Sequence, residues 1–418
     1  MSELTDWGQT TLGKHCVICT GKKDVNEGEM SGIYPFFTCS RNHIYSNKYS
    51  FDTEALLIAG NGEVGNVEYY KGKFEAYQRT YVLDNFNINI QYIYHLLKYS
   101  LKDTLSRSHA GSVIQFIKLE DLTGFTFFYP KDNQEILRIV KILDTIDTAI
   151  QQTQAIINKL KQLKQGLLHD LLTRGVDAKG ELRPCYEDAS HLYKESPLGW
   201  IPKEWEVKEL AQLLGNDEPS MRSGPFGSAL LKSELVEAGI PLLGIDNVHV
   251  EYFDNRFSRF VTAKKFYELA RYAVRPNDLM ITIMGTVGRC CLVPSDIGTA
   301  LSSKHTWTIT LNPNLYSPYL AMLQINYSPW ALDHFSKGEQ GGIMSAIRSD
   351  TLRTLILPTP PITEQKEIAS RLLNISERIS LEIVSVKKLQ MKKTALMDDL
   401  LTGRIRVTSL LQTEASSV

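Results

Sequence analysis

Residues Asn133–Arg174 read NQEILRIVKILDTIDTAIQQTQAIINKLKQLKQGLLHDLLTR, with no proline and a single glycine, Gly166. Apolar residues fall at Ile136, Ile139, Leu143, Ile146, Ile150, Ile157, Leu160, Leu167 and Leu171. Gaps of three and four are the seam of a long helix that faces another helix. Two polar residues, Thr153 and Lys164, interrupt it. A second stretch, Thr363–Gly403, follows Leu357-Pro-Thr-Pro-Pro361 and carries Ile368, Leu372, Ile375, Ile379, Val386, Leu389, Leu396 and Leu400. Adding 229 to the first seam from Ile139 onward gives the second, and the interruptions coincide at Glu382 and Lys393. An amphipathic core helix explains one seam, but not two that break at the same steps. At about 1.5 Å per residue each helix is about 60 Å long, more than one globular domain needs. The natural partner of each seam is the other helix, so the pattern predicts an antiparallel coiled-coil rod in a pseudo-two-fold molecule. Thr363 to Lys366, a hydroxyl before acid and Gln, reads as the entry of the second helix.

The duplication extends outward from the helices. Trp7-Gly-Gln-Thr-Thr-Leu12 answers Trp205-Glu-Val-Lys-Glu-Leu210, and Tyr34-Pro35-Phe36-Phe37 answers Ile240-Pro241-Leu242-Leu243. Ala55–Gly65 answers Asp278–Gly288, Gln78-Arg79-Thr80 answers Lys304-His305-Thr306, and Leu171-Leu-Thr173 answers Leu400-Leu-Thr402. Apolar runs such as Ala55–Ala59 and Leu279–Ile283 read as buried strands. Val67–Tyr70 and Thr306–Thr310 are also β-type, and Ile90–Leu97 and Pro318–Ile325 read as short helices. The fold class is therefore α+β: two repeated α/β domains and two long helices. The boundaries predicted are a first domain at 1–131, helix 132–174, a polar linker at 175–198, a second domain at 199–361, helix 362–406 and a disordered tail at 407–418.

Composition excludes several classes. The 418 residues, enough for two or three domains, are 43% hydrophobic and 22% charged, and 46 basic against 47 acidic residues leave a net charge of −1. That rules out a histone-like coat but not local basic patches. No run approaches 18 apolar residues, and Met1–Asp6 lacks the features of a signal peptide, so a cytoplasmic location is expected. Six cysteines are too few for a disulfide scaffold. Cys16, Cys19, Cys39 and His43 have the look of a zinc set. The plainer reading is an apolar strand that contains cysteines, and it is preferred without closing the question.

Gly60-Asn-Gly62-Glu-Val-Gly65 matches a dinucleotide or S-adenosylmethionine loop, but such a loop needs a helix next. The residues that follow alternate like a strand, and the second copy has Ile283 in place of Gly60. A turn serving the repeated fold explains both copies. Asn312-Pro-Asn-Leu-Tyr316 resembles the Asn-Pro-Pro-Tyr loop of amino-methyltransferases only faintly and fits a strand-ending turn. His109, His169, His305 and His334 stand singly. No complete catalytic set is present, so the chain is not expected to be an enzyme.

Basic residues among aromatics point to nucleic acid. The candidates are Arg41, Lys71, Lys73, Tyr77, Gln78, Arg79, Arg107 and Ser108 in the first half, and Arg256, Arg259, Lys304, His305, Lys337 and Gln340 in the second. Arg79 and His305 stand at matching places in the repeat. The bland alternative for each cluster is a solvated face.

These motifs together resemble the specificity subunits of type I restriction–modification systems, over essentially the whole chain. The residues that carry the resemblance are Leu198-Gly-Trp-Ile-Pro-Lys-Glu-Trp205, Asp278-Leu-Met-Ile with Gly285-Thr-Val-Gly288, Leu357–Ile368, and Leu396-Met-Asp-Asp-Leu-Leu-Thr402-Gly. The first domain departs from the pattern at its start near Trp7 and at its helix entry, Tyr129–Glu135. The resemblance implies two target-recognition domains, separated by two antiparallel helices, that read a bipartite double-stranded DNA site; the rigid rod read from the seams would set the gap. It implies no cofactor in this chain. Two modification subunits would bring S-adenosylmethionine and methylate adenine, and restriction subunits would bring ATP and Mg. The competing readings are a stand-alone S-adenosylmethionine-dependent methyltransferase and a coiled-coil scaffold without DNA affinity.

Overall fold

The computed structural model describes residues 6–108, 116–216, 219–338 and 347–407. The first half forms β1 (Trp7–Thr11), β2 (Val17–Thr20), β3 (Tyr34–Phe37), β4 (Ile44–Ser46), β5 (Phe51–Ala59), β6 (Val67–Ala76), β7 (Thr80–Asp84), α1 (Ile90–Ser108), α2 (Leu119–Thr123), β8 (Thr126–Pro130) and the long helix α3 (Asn133–Thr173). The second begins with β9 (Tyr193–Ser196), β10 (Gly199–Pro202), β11 (Glu206–Glu209), β12 (Met221–Ser223), β13 (Ile240–Leu243) and β14 (Phe260–Val261). It continues with α4 (Ala263–Glu268), β15 (Leu279–Thr282), β16 (Cys290–Leu292), β17 (Leu301–Ser302), β18 (Thr306–Ile309), α5 (Pro318–Tyr327), α6 (Pro329–Gly338), α7 (Ser349–Arg353), β19 (Ile356–Thr359) and the second long helix α8 (Ile362–Leu401). The chain divides into two compact units, Met1–Ile157 with Glu382–Val418, and Asn158–Leu381. Both divisions fall inside a long helix.

In the first unit β1 pairs antiparallel with β8, so the start of the domain is zipped to its end. The remaining strands form a six-stranded sheet in the order β2-β7-β5-β6-β3-β4. Tyr92, Ile93, Leu96, Leu97, Leu101 and Leu105 recur every three or four residues along α1 and are buried in the core. Fully burying such a side chain stabilises the fold by about 1.5–3 kcal/mol. The same core takes Ile136, Ile139, Val140 and Leu143 of α3 and Met397, Leu400 and Leu401 of α8. The first turns of the seam therefore pack on their own domain as well as on the facing helix. Residues 133–157 and 382–401 run antiparallel: Glu135 is held by Arg406, while Asp147, three turns further along α3, is held by Lys393 at 2.5 Å.

The second unit repeats this plan. The pair β11–β19 corresponds to β1–β8, and the four strands β12-β18-β15-β16 correspond to β2-β7-β5-β6. The register establishes the equivalence. Phe37 pairs with Ala76, four residues before Thr80, and Leu243 pairs with Ser302, four residues before Thr306, both in parallel. One difference has a plain cause. The single helix α1 corresponds to two helices, α5 and α6, because Pro329 lacks the N–H that would continue α5, and Ser328 before it is driven to extended backbone. Leu168, Leu171 and Leu172 of α3 and Ile368 and Leu372 of α8 enter this unit's core. Further along the seams Ile157, Ile375, Ile379 and Val386 are buried, whereas Ile146, Ile150, Leu160, Leu167, Leu389 and Leu396 are half-buried. The interrupting lysines are both ion-paired, Lys393 with Asp147 and Lys164 with Glu251 at 2.7 Å.

Residues 175–198, expected as a linker, are folded. Val176, Arg183, Ala189 and Tyr193 are buried, and the expected boundary at 198 falls within the hairpin of β9 and β10. The Arg183 guanidinium makes a two-bond contact with Glu364 at 2.5 and 3.0 Å, and the same carboxylate accepts from Trp205 Nε1 and Val176 N. The helix begins at Ile362, within a residue of the expected Thr363–Lys366 entry, and Glu364 locks this helix start to the chain leaving α3. Gln365, fully buried, accepts from Ser317 N and donates to Leu315 O and Pro360 O. The first unit has the counterpart lock: Arg406 makes two bonds to buried Glu135 at 2.6 and 2.7 Å, with Asp6 nearby at 3.7 Å where the second unit has Glu204. The segment 402–407 therefore belongs to the fold rather than to helix or tail, and Val407 is buried in the first core. The rest of the expected tail, 408–418, lies outside the described residues.

Candidate nucleic-acid interface

Three loops converge at one end of the first sheet. The β5–β6 turn, Gly60–Gly65, is closed by Gly65 N donating to Ala59 O at 2.9 Å. The loop after β3 meets it, since Cys39 O accepts from Glu63 N and Arg41 pairs with Glu63 at 3.1 Å. The β6–β7 turn completes the group, with Gly60 N donating to Arg79 O and Cys39 Sγ to the same carbonyl. The segment after α2's predecessor loop joins here too: Ile117 N donates to Gly60 O, and Tyr81 Oη donates to Ile117 O.

The second unit builds the same arrangement from different side chains. Gly288 N donates to Thr282 O at 2.9 Å, and Ile283 N to His305 O at 3.1 Å, the same two bonds at the equivalent positions. The third and sixth turn residues, Gly62 and Gly65, and then Gly285 and Gly288, all have φ between 60° and 84°, which only glycine adopts freely. The indole of Trp307 donates to Ile347 O at 3.0 Å, as Tyr81 does to Ile117. Arg79 and His305 therefore occupy one place in two copies of a loop cluster.

The cations differ in how they are held. Arg79 is exposed and has no ion-pair partner among the described residues, and Gln78 beside it contacts Asp24 at 3.4 Å. Tyr77 is half-buried at the base of the same turn. In the second unit Lys304 is exposed, and Arg259, paired with Asp246, stands close to His305. Burial, then the positive charges of Lys304 and Arg259, lowers the His305 pKa below its ordinary value. Arg256 lies further out, 88% exposed, with Asp254 held down to about 2 by its side-chain and backbone hydrogen bonds.

The structure does not gather every candidate. Lys71 pairs with Glu54, and Lys73 lies over the Tyr49 ring, along the β5–β6 ribbon and not at the loop cluster. Arg107 is exposed in the last turn of α1. The side chains of Ser108 and Lys337, and Gln340 altogether, lie outside the described residues, as does most of the loop that follows each of these helices. Residue types alone did not single out Asn247, which is buried and organises the 244–259 loop. It accepts from Gly244 N and donates to Asp254 O and Arg256 O. Its position directly after Asp246 and three residues after Gly244 was the available signal.

The motifs of the competing readings are built as follows among the described residues. The Gly60–Gly65 loop joins two antiparallel strands, so it does not lead into a helix as the loop of an S-adenosylmethionine or dinucleotide cradle does. Asn312 accepts from Asn314 N within its own turn, and Tyr316 is fully buried with its hydroxyl on Pro358 O. Cys16, Cys19, Cys39 and His43 do not converge. Cys39 bonds the Arg79 carbonyl, His43 pairs with Glu68, and among the described residues no group of three His, Cys, Asp or Glu could hold a metal. Among them, too, no helix is long and apolar enough to cross a membrane.

Comparison with known proteins agrees with this geometry. Residues 5–162 match the type I restriction modification DNA specificity domain family. The type I restriction enzyme EcoDI specificity subunit of Escherichia coli is 26% identical over 381 residues, covering 88% of this chain and 80% of that one. The MjaVIII specificity subunit of Methanocaldococcus jannaschii is 24% identical, covering 97% and 94%. The fold is that of the type I restriction–modification S subunit from M. genitalium, with a TM-score of 0.61 at 15% identity, covering 94% and 96% of the two chains. A duplicated domain, a long helix after each copy, and matches along nearly the whole chain make this protein similar to the specificity subunits of type I restriction–modification systems.

Proposed function

We propose that the chain reads a bipartite duplex target, one half through each loop cluster, and so directs adenine methylation and restriction by partner subunits. The observation that supports this most is the recurrence of one scaffold with different side chains: Arg41, Gln78 and Arg79 in one unit, Arg259, Lys304 and His305 in the other. A constant scaffold positions the turn, and cations and amides on it can contact phosphates and base edges. Different side chains on the two copies would read different half-sites. Two modification subunits would supply S-adenosylmethionine, and restriction subunits ATP and Mg. The setting of such a complex would be the cytoplasm, with the DNA.

The test uses the purified full-length chain. A gel shift with random-sequence duplex should show salt-sensitive binding, because phosphate contacts release counterions. No shift at low salt would favour a scaffold without DNA affinity. Methyl transfer by the chain alone would favour a stand-alone methyltransferase.

A further inference from the structure

Phe226 is 60% exposed and has no ring partner among the described residues. Water does not favour such a surface, and single exposed apolar residues are ordinary, so its position has to make the case. It lies on the short loop between β12 and Ala229, and that loop is tied to the basic turn of the second unit. Gly224 N donates to Ser303 O at 3.2 Å, one residue before Lys304 and two before His305. A Cβ on Gly224 would come within 2.2 Å of Ser302 O, so the loop can lie this close to the turn only with glycine there. On its far side Ala229 N donates to Phe226 O at 3.2 Å.

The strand that carries the loop is locked. Arg222 of β12 is 4% exposed and ion-paired with fully buried Asp278. It also donates to Ala273 O at 2.7 Å and to Thr310 Oγ1 at 2.9 Å. The loop that carries the ring is thus held on a fixed base, and Gly224, two residues before Phe226, is bonded to the turn that bears exposed Lys304 and half-buried His305. That is the combination by which proteins engage nucleic acid: cations for the backbone and an apolar wedge or stacking face for a base step. The equivalent segment of the first unit, Gly21-Lys22-Lys23-Asp24-Val25, meets its own turn through Gly21 N to Thr80 O and Gln78 N to Lys23 O, and carries no aromatic residue.

We propose that Phe226 stacks against a base in the half-site read by the second domain. This rests on the DNA-reading function proposed above.

The experiment uses the chain assembled with its modification subunits and a duplex carrying the site identified by methylation mapping, with 2-aminopurine placed through the second half. Phe226→Ala should weaken binding about 5–150-fold with an unchanged salt slope, because no cation is lost. It should also abolish a fluorescence change that the unaltered complex produces. Phe226→Tyr should retain both properties, and Phe226→Leu, apolar but without a ring, should not. Full binding by Phe226→Ala, or full binding and fluorescence by Phe226→Leu, would overturn the stacking role while leaving DNA recognition intact. Failure of the unaltered complex to bind any duplex would overturn the reading on which it rests.

Discussion

Replacing Glu364 by Gln isolates the charge in the helix-start lock. The carboxylate is 8% exposed and its partner Arg183 7%, with contacts at 2.5 and 3.0 Å. Gln keeps one acceptor for Trp205 Nε1 and Val176 N but leaves a guanidinium buried without its counter-charge. Removing one member of a buried pair costs about 3–5 kcal/mol. Glu204, 3.6 Å from Arg183 and 56% exposed, recovers little of that. The matching change, Glu135→Gln, should cost less, about 1–2 kcal/mol, because Arg406 is 28% exposed and can turn to water. Trp7, in the place of Trp205, contributes no bond to that lock. A chain with two compact units need not unfold in one step, so the assay is native-state hydrogen exchange. At about 1.4 kcal/mol per tenfold, protection around 176–183 and 363–372 should fall about 100- to 4,000-fold in Glu364→Gln. Less than tenfold loss, or a larger effect from Glu135→Gln, would refute the reasoning.

Other expectations follow from groups already described. Burial and two neighbouring cations lower the His305 pKa, whereas a bound phosphate would raise it. Affinity for the duplex should therefore rise as pH falls below the ordinary histidine value of about 6.5, and His305→Gln should remove that dependence; an identical pH profile in the variant would contradict it. The fold responds in the opposite direction: stability from the neutral ring is present above the ordinary value and lost as pH falls through the lowered one. Burial pushes the Cys291 and Cys16 thiols up to about 12 and that of Cys290 well above its usual range, so alkylation of the native chain at pH 8, followed by mass spectrometry, should leave Cys290 and Cys291 unmodified while exposed Cys19 reacts faster. Rapid labelling of Cys290 would contradict the buried assignment.

Much of the architecture is legible in the sequence because duplication writes each signal twice. The seams of α3 and α8 share their interruptions, and the glycine turns share their spacing. Arg79 and His305 can be matched because each stands three residues after a position, Ala76 or Ser302, that the strand register aligns. The helix-start locks were hidden for a physical reason. Arg183 and Glu364 are 181 positions apart, and in sequence the segment around Arg183 looks like any polar connection. Its polar residues are buried because they pair with one another, which composition cannot reveal. The same limit applies to Lys164 and Lys393, which interrupt the seams and find acids elsewhere, and to Asn247. The cysteine spacing suggested a metal, but strand geometry sends Cys39 to a backbone carbonyl instead.

The proposed function requires two independent readers on one chain. Methylation mapping of the assembled complex with Arg79→Ala, and separately with Lys304→Ala and His305→Gln together, tests it most directly. A lost base-edge contact is worth about 1–3 kcal/mol of discrimination. The account predicts that Arg79→Ala relaxes one half of the methylated site and leaves the other intact, and that the Lys304 and His305 changes do the reverse. Equal relaxation of both halves by either set, or an unaltered site in both, would contradict it.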